Sequence, residues 1–432
     1  MRPMKRLILC SALLSLSLGV SALAAEGGRA EIPILGWTGI WPSHVTPTRY
    51  AEARDMGLTI LMQRAADVED ARRLLDMAHG TGLKLMIRLH ALTNEAACAD
   101  VAIALKNHPA LALYFVKDEP GRGWFERLGR IVGKLNAIDP DHAPYVNLFG
   151  CLTGDVRLPR WCYGGDSDVY SEYVKDFLNA VPVKFLSFDQ YPVVFAGDAT
   201  NGTRTAMTKP SWYESLEVCL AECKARNLPL YAFARSSGNS KGTRPVPQLE
   251  HLMLQHNVNL AYGAQMLQYF VYWPLGASLQ PGPFTLEWPR RRTTLFDRVR
   301  EANRRIQARA FVFLGGKVER VRHTGVDIPA TTTRLSANDL PPWCKSLETE
   351  FPSTGATGVS PVAAGAVVSR IINGEREYLV IVNRSPTSEL TLKIAFDEGV
   401  KRIRDDGTIV DATLYIGEYE LEPGAMEVFQ RP

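Results

Sequence analysis

From residue 34 to about residue 314, short apolar runs rich in β-branched and aromatic side chains alternate with longer stretches of helical periodicity. The β-type runs fall at 34–40, 58–64, 83–90, 111–117, 144–149, 185–191, 228–235 and 266–273. Helical patterns lie between them at 68–79, 96–106, 124–138, 169–180, 212–226 and 248–262, and a last one follows at 294–308. Period-2 runs alternating with period-3.6 stretches predict parallel strands joined by crossover helices. Eight such units in about 280 residues match the count and size of a (β/α)8 TIM barrel. A doubly wound open sheet shares this alternation but starts with a Gly-rich phosphate turn. The first turn here, Gly36-Trp37-Thr38-Gly39-Ile40-Trp41, has no such pattern, which favours the barrel.

The pattern changes after Gly315-Gly316. A stretch rich in Thr, Ser, Pro and Gly covers 327–361. Short alternating runs follow at 366–372, 377–383, 389–395, 400–404 and 425–430, with turn signals at Asn373-Gly374, Asp406-Gly407 and Pro423-Gly424. They predict a small antiparallel β-sandwich without helices. The expected organisation is thus a barrel over 30–315 and an all-β C-terminal domain over 316–432.

The N-terminus carries Arg2, Lys5 and Arg6, then an apolar run over 7–20 and the small-residue sequence Ser21-Ala22-Leu23-Ala24-Ala25. This reads as a cleavable signal peptide over 1–25, so the mature chain is expected to be secreted or periplasmic. No run reaches the ~18 apolar residues of a membrane span. Seven cysteines are present, and beyond Cys10 in the apolar leader six remain. Cys151 and Cys162 flank one loop and are the preferred disulfide pair, whereas Cys219 and Cys223, four apart on a helix, are poorly placed for one. No Cys or His spacing predicts a metal site, and no cofactor is implied. A net charge of +3 with scattered Lys and Arg gives no nucleic-acid groove.

In a barrel of this kind the reactive groups sit where strands end at the C-terminal face. The fourth run ends in Lys117-Asp118-Glu119-Pro120, two adjacent carboxylates before a residue that cannot extend the ladder. The sixth ends in Ser187-Phe188-Asp189-Gln190-Tyr191, where alternation sets Ser187, Asp189 and Tyr191 on one face. The same alternation directs Arg88 and His90 of the third run and Asn147 of the fifth toward the barrel mouth. Tyr272 and Trp273 end the eighth and could form an aromatic floor under a sugar ring. Structural uses compete with each reading: acids can favour a helix N-terminus, Arg88 can pair a buried carboxylate, and a Trp can simply fill core.

Acids ending the fourth run, Asp189-Gln190-Tyr191-Pro192 in the sixth and an aromatic eighth run, followed by a β-sandwich, resemble the glycoside hydrolase superfamily containing the family 42-type β-galactosidases. That resemblance implies a glycosidase acting on oligo- or polysaccharides, with Glu119 as general acid/base. It also implies a nucleophilic Glu ending the seventh strand, but the residues there, from Leu228 to Gly238, include no carboxylate. The Asp-Glu-Pro triplet is also similar to that of substrate-assisted hexosaminidases such as family 123. That likeness implies Glu119 as acid, Asp118 orienting the substrate's acetamido group and Tyr191 bonding to it. Asp189 is the other candidate second carboxylate. Two alternatives stay open, a carbohydrate-binding pseudoenzyme and a polysaccharide lyase in which Arg88 and Lys117 neutralise a uronate.

Overall fold

The structure is a computed structural model that describes residues 31–151, 169–196, 205–239, 242–351, 365–412 and 417–432. The expected signal peptide and Cys162, hence the proposed Cys151–Cys162 bridge, lie outside the described residues.

Strands β1 (Ile34–Gly36), β2 (Ile60–Arg64), β3 (Lys84–Arg88), β4 (Leu111–Asp118), β5 (Pro144–Phe149) and β6 (Leu186–Asp189) are followed by a hairpin, β7 (Val193–Ala196) and β8 (Thr205–Thr208). β9 (Leu230–Arg235) and β10 (Ala264–Phe270) then complete a closed parallel barrel in the order β1-β10-β9-β6-β5-β4-β3-β2. Its helices are α1 (Pro47–Asp55), α2 (Val68–His79), α3 (Cys98–Leu105), α4 (Phe125–Ile138), α5 (Tyr170–Ala180), α6 (Ser211–Arg226), α7 (Leu249–Ala261), α8 (Thr294–Ala308) and α9 (Ala310–Phe313). The chain forms a (β/α)8 TIM barrel, as its alternation predicts. Local sequence sets helix starts, as at α2, where the Asp67 carboxylate accepts the Asp70 N–H at 2.8 Å.

Strand alternation sorts the barrel's side chains. Leu35, Trp37, Ile60, Met62, Met86, Leu113, Phe115, Tyr145, Phe185, Tyr231, Phe233 and Met266 fill the interior. Trp37 is its central plug, with ring centroids 5.6 Å from Phe115 and 5.4 Å from Phe233. Residues of opposite parity, such as Leu61, Leu85, Ile87, Leu148 and Phe188, pack under the helices in a larger cluster.

The C-terminal region has a six-stranded antiparallel sheet in the order β11 (Lys317–His323), β13 (Ala366–Asn373), β14 (Arg376–Asn383), β19 (Met426–Gln430), β16 (Lys401–Ile403) and β17 (Ile409–Asp411). A three-stranded sheet, β12 (Cys344–Glu350), β15 (Leu390–Phe396) and β18 (Gly417–Leu421), faces it. Leu379 and Ile381 of β14 point into the core with Leu392, Ile394 and Phe429, while Val380 and Val382 join the cluster beneath the barrel helices. β14 is therefore apolar on both faces. Its neighbour α7 is buried on every side between β9, β10 and the sheet, polar residues such as Gln255, Asn257 and Asn259 included.

The sequence reading leaves out α1, β11 and the β7–β8 hairpin, and β12 forms within the Thr/Ser-rich lead-in. It also drew several barrel strands too long. β1 ends at Gly36, β3 at Arg88, β6 at Asp189 and β10 at Phe270, so His90, Tyr191 and Trp273 stand in the loops beyond.

Candidate active site

The site is assembled at the C-terminal ends of β4, β5 and β6. β4 carries an irregularity between Phe115 and Lys117 in its pairing with β5, so Asp118, rather than Lys117, comes opposite Asn147. An extra residue in one strand reverses which parity faces inward. Lys117 therefore turns to the helix side, its ammonium 4.7 Å from the Trp124 ring centroid. Glu119 follows with φ +45°, an uncommon value for a residue bearing a Cβ. Its N–H donates to the Asn147 carbonyl at 2.8 Å, and the Tyr173 hydroxyl of α5 donates to the Pro120 carbonyl at 2.7 Å. Both sides of the turn are tied down. Strained backbone persists where its surroundings fix it in this way.

Asn147 joins the acids, its amide donating to Asp118 at 3.2 Å and to Asp189 at 2.8 Å. Beneath it lies a polar layer that closes on itself. The Ser187 hydroxyl donates to Asn147 Oδ1 at 2.9 Å, Gln268 Nε2 donates to Ser187 at 3.0 Å, and the Tyr145 hydroxyl contacts both Ser187 and Gln268. This layer holds the amide in one orientation, with its NH2 toward the carboxylates. Asp189 also lies within hydrogen-bonding reach of the Tyr191 hydroxyl and the Glu119 carboxyl.

The electrostatics separate the three acids. Burial, then the charges of Asp189 and Asp118, hold Glu119 far above the ordinary carboxyl range, so it is protonated at neutral pH. Asp189 is raised by burial, and hydrogen bonds from Tyr191, Asn147 and Glu119 oppose the rise. Asp118 is pushed up to about 6 by burial and by Asp189, with the Asn147 hydrogen bond and the Arg88 charge working against the shift.

Glu119, Asp189 and Tyr191 line a cavity of about 260 Å³ with Phe149, Gln190, Lys209 and Arg244. Gly150 lets two walls meet, for its N–H donates to the Asp189 carbonyl at 2.9 Å. A Cβ there would stand 2.6 Å from Gln190 Oε1 and 2.9 Å from that carbonyl.

The remaining expected residues are scattered. Arg88 is exposed at the rim with its guanidinium 5.0 Å from the Phe115 ring centroid, near enough to Asp118 to favour its charge. His90 is exposed in the short turn after β3, and its ring makes no hydrogen bond among the described residues. Trp273 does not form the expected floor. Its ring is 0% exposed, packed against Phe284 and between the Arg49 and Arg290 guanidiniums, because the chain leaves the barrel interior after Phe270. Exposed aromatic surface in the loops after β1 and β10 comes from Trp41 and Trp288, the latter stacked on His44 at 4.2 Å.

Sequence reasoning missed Tyr145, Gln268, Lys209 and Arg244. Gln268, a polar residue at inward parity within an apolar run, carried a usable signal; Lys209 and Arg244 lie in connections whose geometry no periodicity encodes. At the end of β9, where the family 42 resemblance implies a carboxylate, Arg235 donates to the Ser237 and Gly238 carbonyls, both at 2.8 Å. Among the described residues no group of three or more His, Cys, Asp or Glu is placed to hold a metal ion, and no helix is long and apolar enough to cross a membrane.

Comparison with protein-family models and with curated proteins finds no match. Among solved structures, the chain is similar to a family 39 glycoside hydrolase from the gut symbiont Bacteroides cellulosilyticus, with TM-score 0.51 and 10% identity over 92% of this chain and 80% of that one. It is also similar to an α-amylase from Geobacillus thermoleovorans, with TM-score 0.48 and 8% identity over 93% of this chain and 98% of that one. Likeness at these identities is one of fold.

Proposed function

We propose that the protein is an exported glycoside hydrolase in which Glu119 is the general acid. One observation carries this reading: three carboxyls converge at the strand ends, where burial raises the pKa of each and brings that of Glu119 to about 9. Divergent acids of this kind are the working parts of glycosidic cleavage. Glu119 gives its proton to the leaving oxygen as the C–O bond breaks. Asp189 and Asp118 oppose the positive charge that develops on the sugar. Water then adds to the anomeric carbon, its proton passes to Asp189, and the Asp189–Glu119 contact returns that proton to Glu119. In the substrate-assisted version of this reading, Asp118 and Tyr191 orient an acetamido group that attacks first.

The test is hydrolysis of chromogenic aryl glycosides in both anomeric series. Wild-type protein is expected to release aglycone from at least one, and Glu119→Gln to lower kcat on the order of 10²–10⁴-fold, the usual share of general acid catalysis. Unchanged turnover in Glu119→Gln removes Glu119 from the role. A binding-only reading draws on Arg235, a cation where the family 42 pattern needs a nucleophile. It gains if glycans bind without being cleaved.

A further inference from the structure

We infer that the sugar this site accepts carries an anionic substituent, a carboxylate or a sulfate, which Lys209 and Arg244 bind. This rests on the glycosidase reading and names its substrate class. The observation is the division of one cavity into two poles. Glu119 and Asp189 close one side, at the ends of β4 and β6, while Lys209, just after the β7–β8 hairpin, and Arg244, in the loop after β9, close the other.

Both cations are half-buried, and among the described residues neither forms an ion pair with a carboxylate. Arg244 spends one guanidinium nitrogen on the Tyr191 carbonyl at 2.7 Å, and among the described residues the Lys209 ammonium makes no hydrogen bond. Their walls are fastened together, since the Phe195 N–H of the hairpin donates to the Thr243 carbonyl and the Lys209 N–H to the Pro192 carbonyl. Burial and then the neighbouring Arg244, which lines the same cavity, push the Lys209 ammonium below its ordinary pKa.

Two partly desolvated cations in one wall oppose folding unless something compensates them. Asp189 does not serve, being already bonded to Asn147 and within reach of Tyr191 and Glu119. A ligand anion would meet both cations by charge-assisted hydrogen bonds. It would also be shielded from the acids, which would otherwise repel it. A neutral sugar leaves both charges unmatched, so the pocket discriminates by that deficit.

The experiment compares matched aryl glycosides in both anomeric series: glucoside with glucuronide, galactoside with galacturonide, and N-acetylglucosaminide with its 6-sulfate. Binding of the free sugars to Glu119→Gln protein is measured by calorimetry. The anionic member of at least one pair is expected to have a kcat/KM tenfold or more above its neutral partner. Lys209→Gln should lower that value at least tenfold, lower it by more than the neutral partner's, and be largely rescued by Lys209→Arg. The uronide and sulfate arms identify the anion. Cleavage that favours the neutral members and ignores Lys209 overturns this inference and leaves the glycosidase reading standing. Lys209-dependent binding of uronate or sulfated sugar without cleavage of any substrate does the reverse. No binding of either anion overturns the inference outright. If Lys209→Gln loses its fold by circular dichroism, loss of the preference at raised ionic strength in the wild type takes its place, since screening weakens such contacts. A preference that salt leaves unchanged then overturns it.

Discussion

Asn147 is the residue on which the proton distribution turns. Its amide lowers the pKa of both Asp118 and Asp189, so replacing it with Ala should raise both. The limb of the kcat/KM profile that requires an ionised Asp189 is then expected to move to higher pH, and a profile superimposable on the wild type would exclude this role. Asp118 allows a complementary test through stability. With a folded pKa of about 6, above that of an unfolded Asp, its contribution to stability is complete below about pH 4 and lost as pH rises through 6. Asp118→Asn should therefore stabilise the protein at pH 7 by ~1–2 kcal/mol after allowance for partial exposure, and by almost nothing at pH 4. Thermal unfolding at the two pH values measures the difference. A gain of equal size at both would point to packing instead. Sites that lose stability in favour of chemistry behave in this way.

At the scale of elements, parity decided what the sequence could disclose. β6 keeps a clean period of two, and Ser187 and Asp189 face the barrel as alternation requires, with Phe188 under the helices. β4 breaks the period, and nothing in the local composition marks the irregularity that turns Lys117 out and Asp118 in. Tyr191 and Trp273 both lie beyond the true strand ends. Tyr191 still reaches the cavity, whereas Trp273 is folded away into the core. Strand type is written in side-chain chemistry, but the point of departure from a barrel depends on contacts distant in sequence. The junction of β5 and β6 gives a direct test. Gly150→Ala places a methyl against Gln190 and the Asp189 carbonyl, and it should destabilise the protein by about 1–3 kcal/mol while lowering activity through displacement of Asp189. A variant that melts with the wild type and retains its activity would show that the two loops have room to separate.

In the whole molecule, the barrel and the C-terminal sheets share one core. Val367, Val380, Val382 and Val428 belong to the same apolar cluster as the barrel helices. Polar contacts cross the same boundary. The Tyr262 hydroxyl meets His323 Nε2 at 2.8 Å, and Asn257 donates to the Gly424 carbonyl at 2.9 Å. A chain ending at Gly316 would expose a face of α7 that water never meets here. Expressed alone, residues 31–316 are expected to be insoluble or to unfold in a broad transition, and a soluble fragment with one sharp transition would show that the barrel is self-sufficient.

Because α7 lacks a solvent side, inheritance treats the two halves as a single object. A lineage could not exchange its sandwich for an unrelated accessory module, as proteins with loosely tethered appendages do, without also rewriting the helix that both halves claim. Diversification is thereby channelled into the rim loops that carry no part of that helix, where a change need not disturb the seam.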